Sequence, residues 1–219
     1  MIPLGDVIPS RTTPYLTFVI IGLNVLGWLF ELSLSRDALR TLLQVYGVVP
    51  ASFSAPALVS SMFLHGSWFH VVANMWCLWI FGDTVEGRLG HRRFVALYLL
   101  CGIVAALGQT AIDPTSLLPM IGASGAIAGV MGAYFVLYPR SRVLTLLPLI
   151  VFWDIVEIPA IVLPVVWLVV QFVSTGAIAV TTSAEGGGMA LMGPVAGFAM
   201  GVVGVFAFRK RQCRDEYWT

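Results

Sequence analysis

Charged residues are scarce in this chain. Asp, Glu, Lys and Arg together make up 11% of its 219 residues, whereas a soluble domain has about a quarter. This shortage excludes a fully water-covered surface, so we expect much of the surface to contact lipid. The net charge of +1 gives no basis for binding nucleic acid, which requires a strongly basic patch.

Cysteine and histidine are also scarce, with three residues of each. Because the cysteine count is odd, and Cys77 and Cys101 lie within apolar runs, we expect no disulfide framework. No histidine follows His91 in the sequence. The N-terminal residues lack an apolar run directly behind a basic start, so they do not resemble a cleaved signal peptide.

Hydrophobic residues, by contrast, make up 58% of the chain. A membrane-spanning helix needs about 20 mostly apolar residues. Six segments qualify: Tyr15 to about Leu34, about Ser67 to Phe81, Phe94 to about Ile112, about Gly122 to Tyr138, a span within Pro159 to Val180, and about Gly188 to Phe208. The sequence therefore predicts an all-α, six-helix membrane bundle that forms one domain over residues 1–219.

The basic residues predict the orientation of this bundle. Ten of the 12 Lys and Arg residues fall on one side of it: Arg11, Arg88, Arg92, Arg93, Arg140, Arg142, Arg209, Lys210, Arg211 and Arg214. Only Arg36 and Arg40 fall on the other side. The positive-inside rule then places both termini in the cytoplasm, with 1–14 as an N-terminal segment and 209–219 as a basic tail that anchors at the lipid surface.

One apolar stretch fits this scheme less well. Val143 to Ile158 contains Pro148 and the acidic residues Asp154 and Glu157, and Pro159 follows directly. We interpret it as a partly embedded connection that leads into the fifth span, and a seventh span is the alternative. The loop between the second and third spans contains Glu86, Arg88 and His91, which we expect to order the loop or to face solvent.

The topology places several polar residues at a similar depth. The second, fourth and sixth spans all begin at the outer face, and polar groups inside a bilayer are candidate functional residues by default. His70 and Asn74 are four residues apart on one helical face. Ser124 opens the fourth span, close to free backbone N–H groups. These donors would suit an oxyanion hole for a tetrahedral intermediate.

Glycine spacing predicts which spans are neighbours. Gly125 and Gly129 lie four apart on the fourth span, and Gly193, Gly197 and Gly201 form a longer small-residue face on the sixth. Such faces allow helix backbones to approach closely. We therefore expect the fourth and sixth spans to pack together, with residue 194 facing Ser124.

Three motifs resemble those of the rhomboid intramembrane serine proteases. They are FLHGSWFHVVANMWCLWIFGDTVEGRLGHRRFVALYLLCG at 63–102, GASGAIAG at 122–129 and YPRSRVLTLLP at 138–148. The resemblance extends over about residues 11 to 210. It implies a family that cleaves transmembrane segments of other proteins near their outer ends, with neither metal nor cofactor.

The resemblance also implies roles for individual residues. Ser124 takes the position of the nucleophile, and His70 and Asn74 take the positions that support the oxyanion. His65 matches a family histidine with a more structural role. Gly122, Gly125, Gly193 and Gly197 are supporting positions in the same motifs.

Two positions depart from the family pattern. The last span usually reads GGxAxxAHxGGFxxG, and the matching stretch here is GGMALMGPVAGFAMG, so Pro194 occupies the position of the histidine base. Pro194 could begin the ordered part of the last helix or kink it. The Trp-Arg pair common in the first outer loop falls on Pro56 and Ala57.

These departures lead to two main hypotheses. The first is a pseudoprotease that binds transmembrane helices of client proteins, because a serine hydroxyl is a poor nucleophile without a base. The second is an active endopeptidase in which His70, Asp154 or Glu157 replaces the base. A transporter or channel ranks far below both. We expect a multi-pass protein, with the bacterial inner membrane as its expected location and with its oligomeric state open.

Overall fold

A computed structural model describes residues 2–8, 12–148, 153–167, 169 and 192–208. In this part of the chain, helices form a bundle and a small sheet lies at one end of it. The helices are α1 (Tyr15–Ser33), α2 (Arg36–Tyr46), α3 (Ala57–Ser60), α4 (Trp68–Leu89), α5 (His91–Ile112), α6 (Ser124–Leu137) and α7 (Met192–Phe208). Short 3-10 turns cover Pro50–Ser52 and Ser61–Phe63, and residues 162–167 are also helical.

Helices form in each predicted span, although the fifth is seen only at its start. Most of that span, the residues before Met192 and the basic tail at 209–219 lie outside the described residues. Two helices of the described part, Tyr15–Ser33 and His91–Ile112, are long and apolar enough by themselves to cross a membrane. The apolar helices Ser124–Leu137 and Met192–Phe208 are shorter. The full set of six spans remains a prediction.

The predicted loop after the second span is wrong. Helix α4 continues to Leu89, and α5 begins two residues later at His91. Gly90, with a φ of 82°, makes the turn between them, a conformation that glycine adopts at little cost. Glu86 therefore lies inside a helix, where it is buried. Helix α4 thus contains two acidic residues, Asp83 and Glu86.

In the predicted connection at 143–158, residues 143–148 and 153–158 form strands and not a spanning helix. They contribute to an antiparallel sheet in the order β1 (Ile2–Asp6), β2 (Arg142–Pro148) and β3 (Trp153–Pro159). In β2, Val143 and Thr145 are buried while Leu144 is half-buried, which is the two-residue period of a strand. The chain is mainly helical, as predicted, but it is not exclusively so.

The sheet distinguishes two ends of the bundle. We call the end that carries β1–β3 the sheet end, where α4 and α6 finish and α1 and α5 begin. We call the opposite end the serine end, because Ser124 opens α6 there. Helix α7 also begins at the serine end, since the Gln109 side chain near the end of α5 bonds the backbone of Met192. Helices α6 and α7 therefore run parallel.

The close packing predicted for α6 and α7 is confirmed. A Cβ at Gly197 would lie 2.1 Å from the Gly125 carbonyl oxygen, and one at Gly201 would lie 1.9 Å from that of Gly129. Only glycine allows backbones to approach this closely. The predicted small-residue faces are the contact surface between the two helices.

Candidate functional site

Ser124 lines a small cavity at the serine end. The cavity has a volume of about 70 Å³, and its walls include Gln109, Gly193 and Pro194. Ser124 is the first residue of α6, so the free N–H groups of that helix begin here. The expectation that residue 194 faces Ser124 agrees with this shared cavity.

Pro194 is buried in the first turn of α7, where it is the third residue. A proline is tolerated there because the N–H groups of a first turn have no partner within the helix. The helix thus begins two residues before Pro194. The Gln109 side-chain oxygen accepts the N–H groups of Met192 at 3.1 Å and of Gly193 at 3.3 Å. Gln109 therefore caps the helix on which the histidine position lies.

His70 lies against the turn that precedes Ser124. A Cβ at Gly122 would be 2.6 Å from His70 Cε1 and 2.7 Å from His70 Nε2. Gly122 also has a φ of 115°, so both its backbone and its neighbour require glycine. Its N–H donates to the Ser61 carbonyl at 2.8 Å. His70 Nε2 is buried and has no hydrogen-bond partner among the described residues.

Asn74 is paired with His65. Asn74 Nδ2 lies 3.3 Å from His65 Nε2, and both side chains are buried. An amide nitrogen can only donate, so His65 Nε2 accepts and the proton sits on Nδ1. Burial, with the neighbouring His70, lowers the pKa of His65 to about 3, which keeps its ring neutral. The rings of His65 and His70 meet edge to face at 5.1 Å.

Sequence reasoning missed two residues of this region, Gln109 and Glu31. Glu31 lies on α1 and is only 2% exposed. Its two carboxylate oxygens accept the His65 main-chain N–H at 3.0 and 3.3 Å. Glu31 thereby holds the segment that leads into α4. An acidic residue in an apolar span is the signal that could have identified it.

The two carboxylates proposed as replacement bases, Asp154 and Glu157, lie at the sheet end. Glu157 is paired with Arg142 at 3.2 Å in the sheet, and the backbone of Asp154 pairs with Leu147 in the same hairpin. The 14 residues of α6, about 21 Å of helix, separate Ser124 from the sheet end. No hydrogen bond connects the Ser124 hydroxyl to a side chain in the part of the chain that the structure describes.

His91 also belongs to the sheet end. We expected a solvated side chain, but only 44% of it is exposed. Its Nδ1 lies 2.5 Å from the buried Glu86 carboxylate. The same carboxylate accepts the N–H groups of Leu16 and Thr17. Glu86 therefore joins α1, α4 and the start of α5.

A family model named "Rhomboid domain" matches residues 53–211 of this sequence. The chain belongs to the rhomboid family. Proteins of this family are integral membrane proteins, which accounts for the low charge and for the exposed apolar side chains of α1, α4 and α7, among them Phe18, Leu26, Trp79 and Phe206.

Three curated relatives illustrate the similarity. The human "Presenilin-associated rhomboid-like protein, mitochondrial" is 36% identical over 120 residues, which cover 52% of this chain and 31% of that protein. "Rhomboid protein 1, mitochondrial" of Saccharomyces cerevisiae is 30% identical over 59% of this chain and 38% of its own length. "Putative rhomboid protease YdcA" of Bacillus subtilis is 30% identical over 57% and 62%. The chain thus spans about a third of the first two relatives.

Proposed function

We propose that this rhomboid-family protein binds transmembrane helices of other membrane proteins and is severely impaired in cleaving them. The observation that carries the proposal is Pro194, which shares the Ser124 cavity and occupies the position where the family pattern has its histidine. Family membership supports action within the membrane on membrane proteins. The clients are defined here only as transmembrane helices.

The chemical argument concerns the serine proton. A serine hydroxyl attacks a carbonyl efficiently only when a neighbouring base removes its proton. Loss of that base from a serine hydrolase costs on the order of 10⁶ in kcat. Pro194 has neither a basic side chain nor an N–H group. Unlike the base, the histidine expected to support the oxyanion is retained, because His70 packs beside the turn that leads to Ser124.

The proposal includes an orientation in the membrane. The sheet end carries Arg88, Arg92, Arg93, Arg140 and Arg142, so the positive-inside rule favours the cytoplasmic side for it. Ser124 would then lie toward the outer face. Helix α6 is about 21 Å long and the hydrocarbon core about 30 Å thick, so Ser124 would lie below the outer surface, in a protein-lined cavity.

The choice of membrane stays open within this proposal. Two of the relatives named above carry mitochondrial names, and one comes from Bacillus subtilis. The mitochondrial relatives give no support to the bacterial inner membrane as the location.

A cleavage and capture experiment tests the proposal. The purified protein in proteoliposomes is given a model transmembrane substrate, beside a Ser124→Ala control. We expect no Ser124-dependent product, together with cross-linking of the intact substrate through a photoreactive residue at the serine end. Ser124-dependent cleavage at a rate typical of proteases would overturn impairment. Absence of both cross-linking and cleavage would overturn client binding.

A variant that restores the histidine provides a second test. Pro194→His returns an imidazole to the cavity, and Ser124-dependent product should then appear if the remaining site is assembled. Ala57→Arg, the second restoration that the family pattern suggests, does not fit, because Ala57 is 1% exposed. A Pro194→Ala variant serves as the control for removal of the proline alone.

One observation favours an active serine endopeptidase as the second candidate. His70 Nε2 is buried beside Gly122 and lacks a partner among the described residues, so it is an unpaired imidazole nitrogen beside the turn that precedes Ser124. In that case a fluorophosphonate probe would label wild-type protein at Ser124, and His70→Ala would abolish the labelling. No labelling of folded protein would exclude this candidate.

A further inference from the structure

Helices α1 and α4 border an apolar cavity on the outside of the bundle. Its volume is about 500 Å³, and it is lined by nine residues, of which Ile21 and Val25 lie on α1 and the others on α4. None of the nine is charged, and the only hydrogen-bond donors among their side chains are the indole N–H groups of three tryptophans. A cavity of this composition suits an apolar ligand.

The cavity opens away from the bundle. Val71 and Met75 line it and are only 3% and 8% exposed, whereas Val72 and Trp79 line it and are 54% and 57% exposed. The first two therefore lie at its base and the last two at its rim. This rim is continuous with the exposed apolar side chains of α1 and α4, which contact lipid in an integral membrane protein. The opening faces hydrocarbon and not water.

An aromatic pair joins the two helices at each end of the cavity. At the serine end, the rings of Trp28 and Trp68 meet edge to face, with their centroids 5.6 Å apart. At the other end, the rings of Phe18 and Trp79 are tilted, with their centroids 5.4 Å apart. Helix α4 rises about 16 Å between Trp68 and Trp79. The cavity is therefore an apolar slot of defined length.

This length indicates which apolar ligand fits the slot. The hydrocarbon core of a bilayer is about 30 Å thick, so each leaflet contributes about 15 Å. Trp68 is the first residue of α4 and is 59% exposed, and tryptophan is enriched at the level where the headgroups begin. The slot thus extends from the headgroup level to about the middle of the bilayer, which is the depth of one acyl chain. A membrane-spanning helix of another protein needs twice this length, and the aromatic pairs obstruct it at both ends.

We propose that the slot holds one acyl chain of a phospholipid from the leaflet at the serine end, with its ester group near Trp68 and its methyl end near Trp79. The chain enters sideways from the bilayer and fills the gap between α1 and α4. The unbranched, flexible side chain of Met75 can adapt its shape to such a ligand. The slot shares no lining residue with the Ser124 cavity, so lipid binding here is independent of the proposed client binding and of the loss of the histidine base.

Retention of phospholipid through purification tests the proposal. The full chain is reconstituted in vesicles of palmitoyl-oleoyl phosphatidylcholine, extracted with detergent and examined by native mass spectrometry. We expect a species that carries one phospholipid and that persists at detergent concentrations which remove all other lipid. Wild-type protein that retains no phospholipid under these conditions would overturn the proposal.

Matched tryptophan substitutions locate the bound lipid. Val25→Trp fills the slot, whereas Leu26→Trp places the same side chain on the adjacent residue of α1, which is 63% exposed and does not line the slot. The affinity for phospholipid should fall about tenfold in Val25→Trp, which is the effect of excluding about two methylene groups. It should be unchanged in Leu26→Trp. Equal retention in the two variants would place the lipid elsewhere and would overturn the proposal.

A second pair keeps the test decisive if one variant does not fold. Val72→Trp fills the slot from α4, and Phe69→Trp is its control, because Phe69 is 63% exposed and lies outside the slot. We expect the same loss in the first variant and none in the second.

Photo-cross-linking tests the direction of the chain and the identity of the occupant. A phosphatidylcholine with a diazirine at the methyl end of one acyl chain should cross-link beside Trp79, and cross-linking beside Trp68 instead would contradict the proposed orientation. A photoreactive amino acid introduced at position 72 should capture phospholipid. Capture there of a second copy of the chain or of a client helix, and of no lipid, would overturn the proposal.

Discussion

Each end of the bundle contains a glutamate buried in a helix, and the two differ in how many donors surround them. At the sheet end, Glu86 accepts the N–H groups of Leu16 and Thr17, the Thr17 hydroxyl and His91 Nδ1. At the serine end, the two oxygens of Glu31 share the single main-chain N–H of His65. A buried carboxylate is costly unless several donors compensate it. The sheet end is therefore the better-compensated region.

Several other polar groups follow the same division, with the Tyr134 hydroxyl near the sheet end of α6 as an exception, since it is buried without a partner among the described residues. At the sheet end, the Thr84 hydroxyl donates to Asp6 and three strands close the bundle. At the serine end, His65 Nδ1, His70 Nε2 and Trp28 Nε1 are buried without a partner among the described residues. Each buried polar group without a partner requires an explanation, and a functional role is one such explanation. The sheet end therefore has the better-compensated carboxylate, while the candidate site lies at the other end.

The largest expected effect comes from removal of the better-compensated carboxylate. Glu86→Ala leaves the donors of α1 and His91 unpaired and should lower the free energy of unfolding by about 3–5 kcal/mol. Thermal unfolding in detergent micelles measures it. Glu157→Ala, which removes an exposed ion pair at the same end, is the control and should change stability by less than about 1 kcal/mol. Similar losses in the two variants would contradict the assignment.

Close packing of α6 and α7 gives the next effect. Gly201→Ala places a Cβ within 1.9 Å of the Gly129 carbonyl oxygen, and relief of the overlap should cost about 1–3 kcal/mol or more. Gly22 on α1 is the matched control, since a Cβ there would meet nothing within 4 Å. Gly22→Ala should leave the unfolding temperature unchanged or raise it. A neutral Gly201→Ala would show that the helices are further apart than described.

At the serine end we expect a smaller loss. Glu31→Gln keeps one oxygen acceptor for the His65 N–H but removes the charge, which should cost about 1–2 kcal/mol. The variant is compared with Glu86→Gln, where four contacts weaken at once and the loss should be greater. Amide hydrogen exchange around His65 provides a local measurement. If Glu31→Gln proved the more damaging of the two, the contrast between the ends would be reversed.

The smallest effect concerns Asp6. Burial raises the pKa of its carboxyl, and the Thr84 hydroxyl offsets this in part. Folding therefore favours the protonated form, so this contribution to stability is lost as the pH rises through the shifted pKa. Asp6→Asn should flatten the pH dependence of unfolding as the pH rises above the ordinary pKa of an aspartate, with a change well under about 1 kcal/mol. An unchanged slope would contradict this account.

Much of the helical architecture could be predicted because its signals are local. Apolar runs of sufficient length located α1 and α5, and glycines spaced four apart predicted which helices touch. The order of spans placed Ser124 near residue 194, because helices that begin at the same face bring their first turns to one depth. Each of these predictions depends on helix geometry alone.

The errors came from features that depend on tertiary partners. The stretch 143–158 is as apolar as a membrane segment, and only the pairing of β2 with β1 and β3 shows that residues 143–148 and 153–158 form strands. Helix α4 extends past Asp83 because Glu86 finds its donors on α1, across about 70 residues of chain. Gln109 and Glu31 act on backbone N–H groups of other elements, which no sequence spacing reveals.

The sheet has a consequence for how the nascent protein assembles. Strand β1 is synthesised first, yet its partner β2 follows α6 in the chain. A chain folds from its N-terminus during synthesis, so residues 2–6 have no hydrogen-bonding partner while α1, α4, α5 and α6 are synthesised. The sheet can therefore close only after α6 has been made. In a nascent chain arrested before residue 142, the backbone groups of β1 that would pair with β2 must be covered in another way.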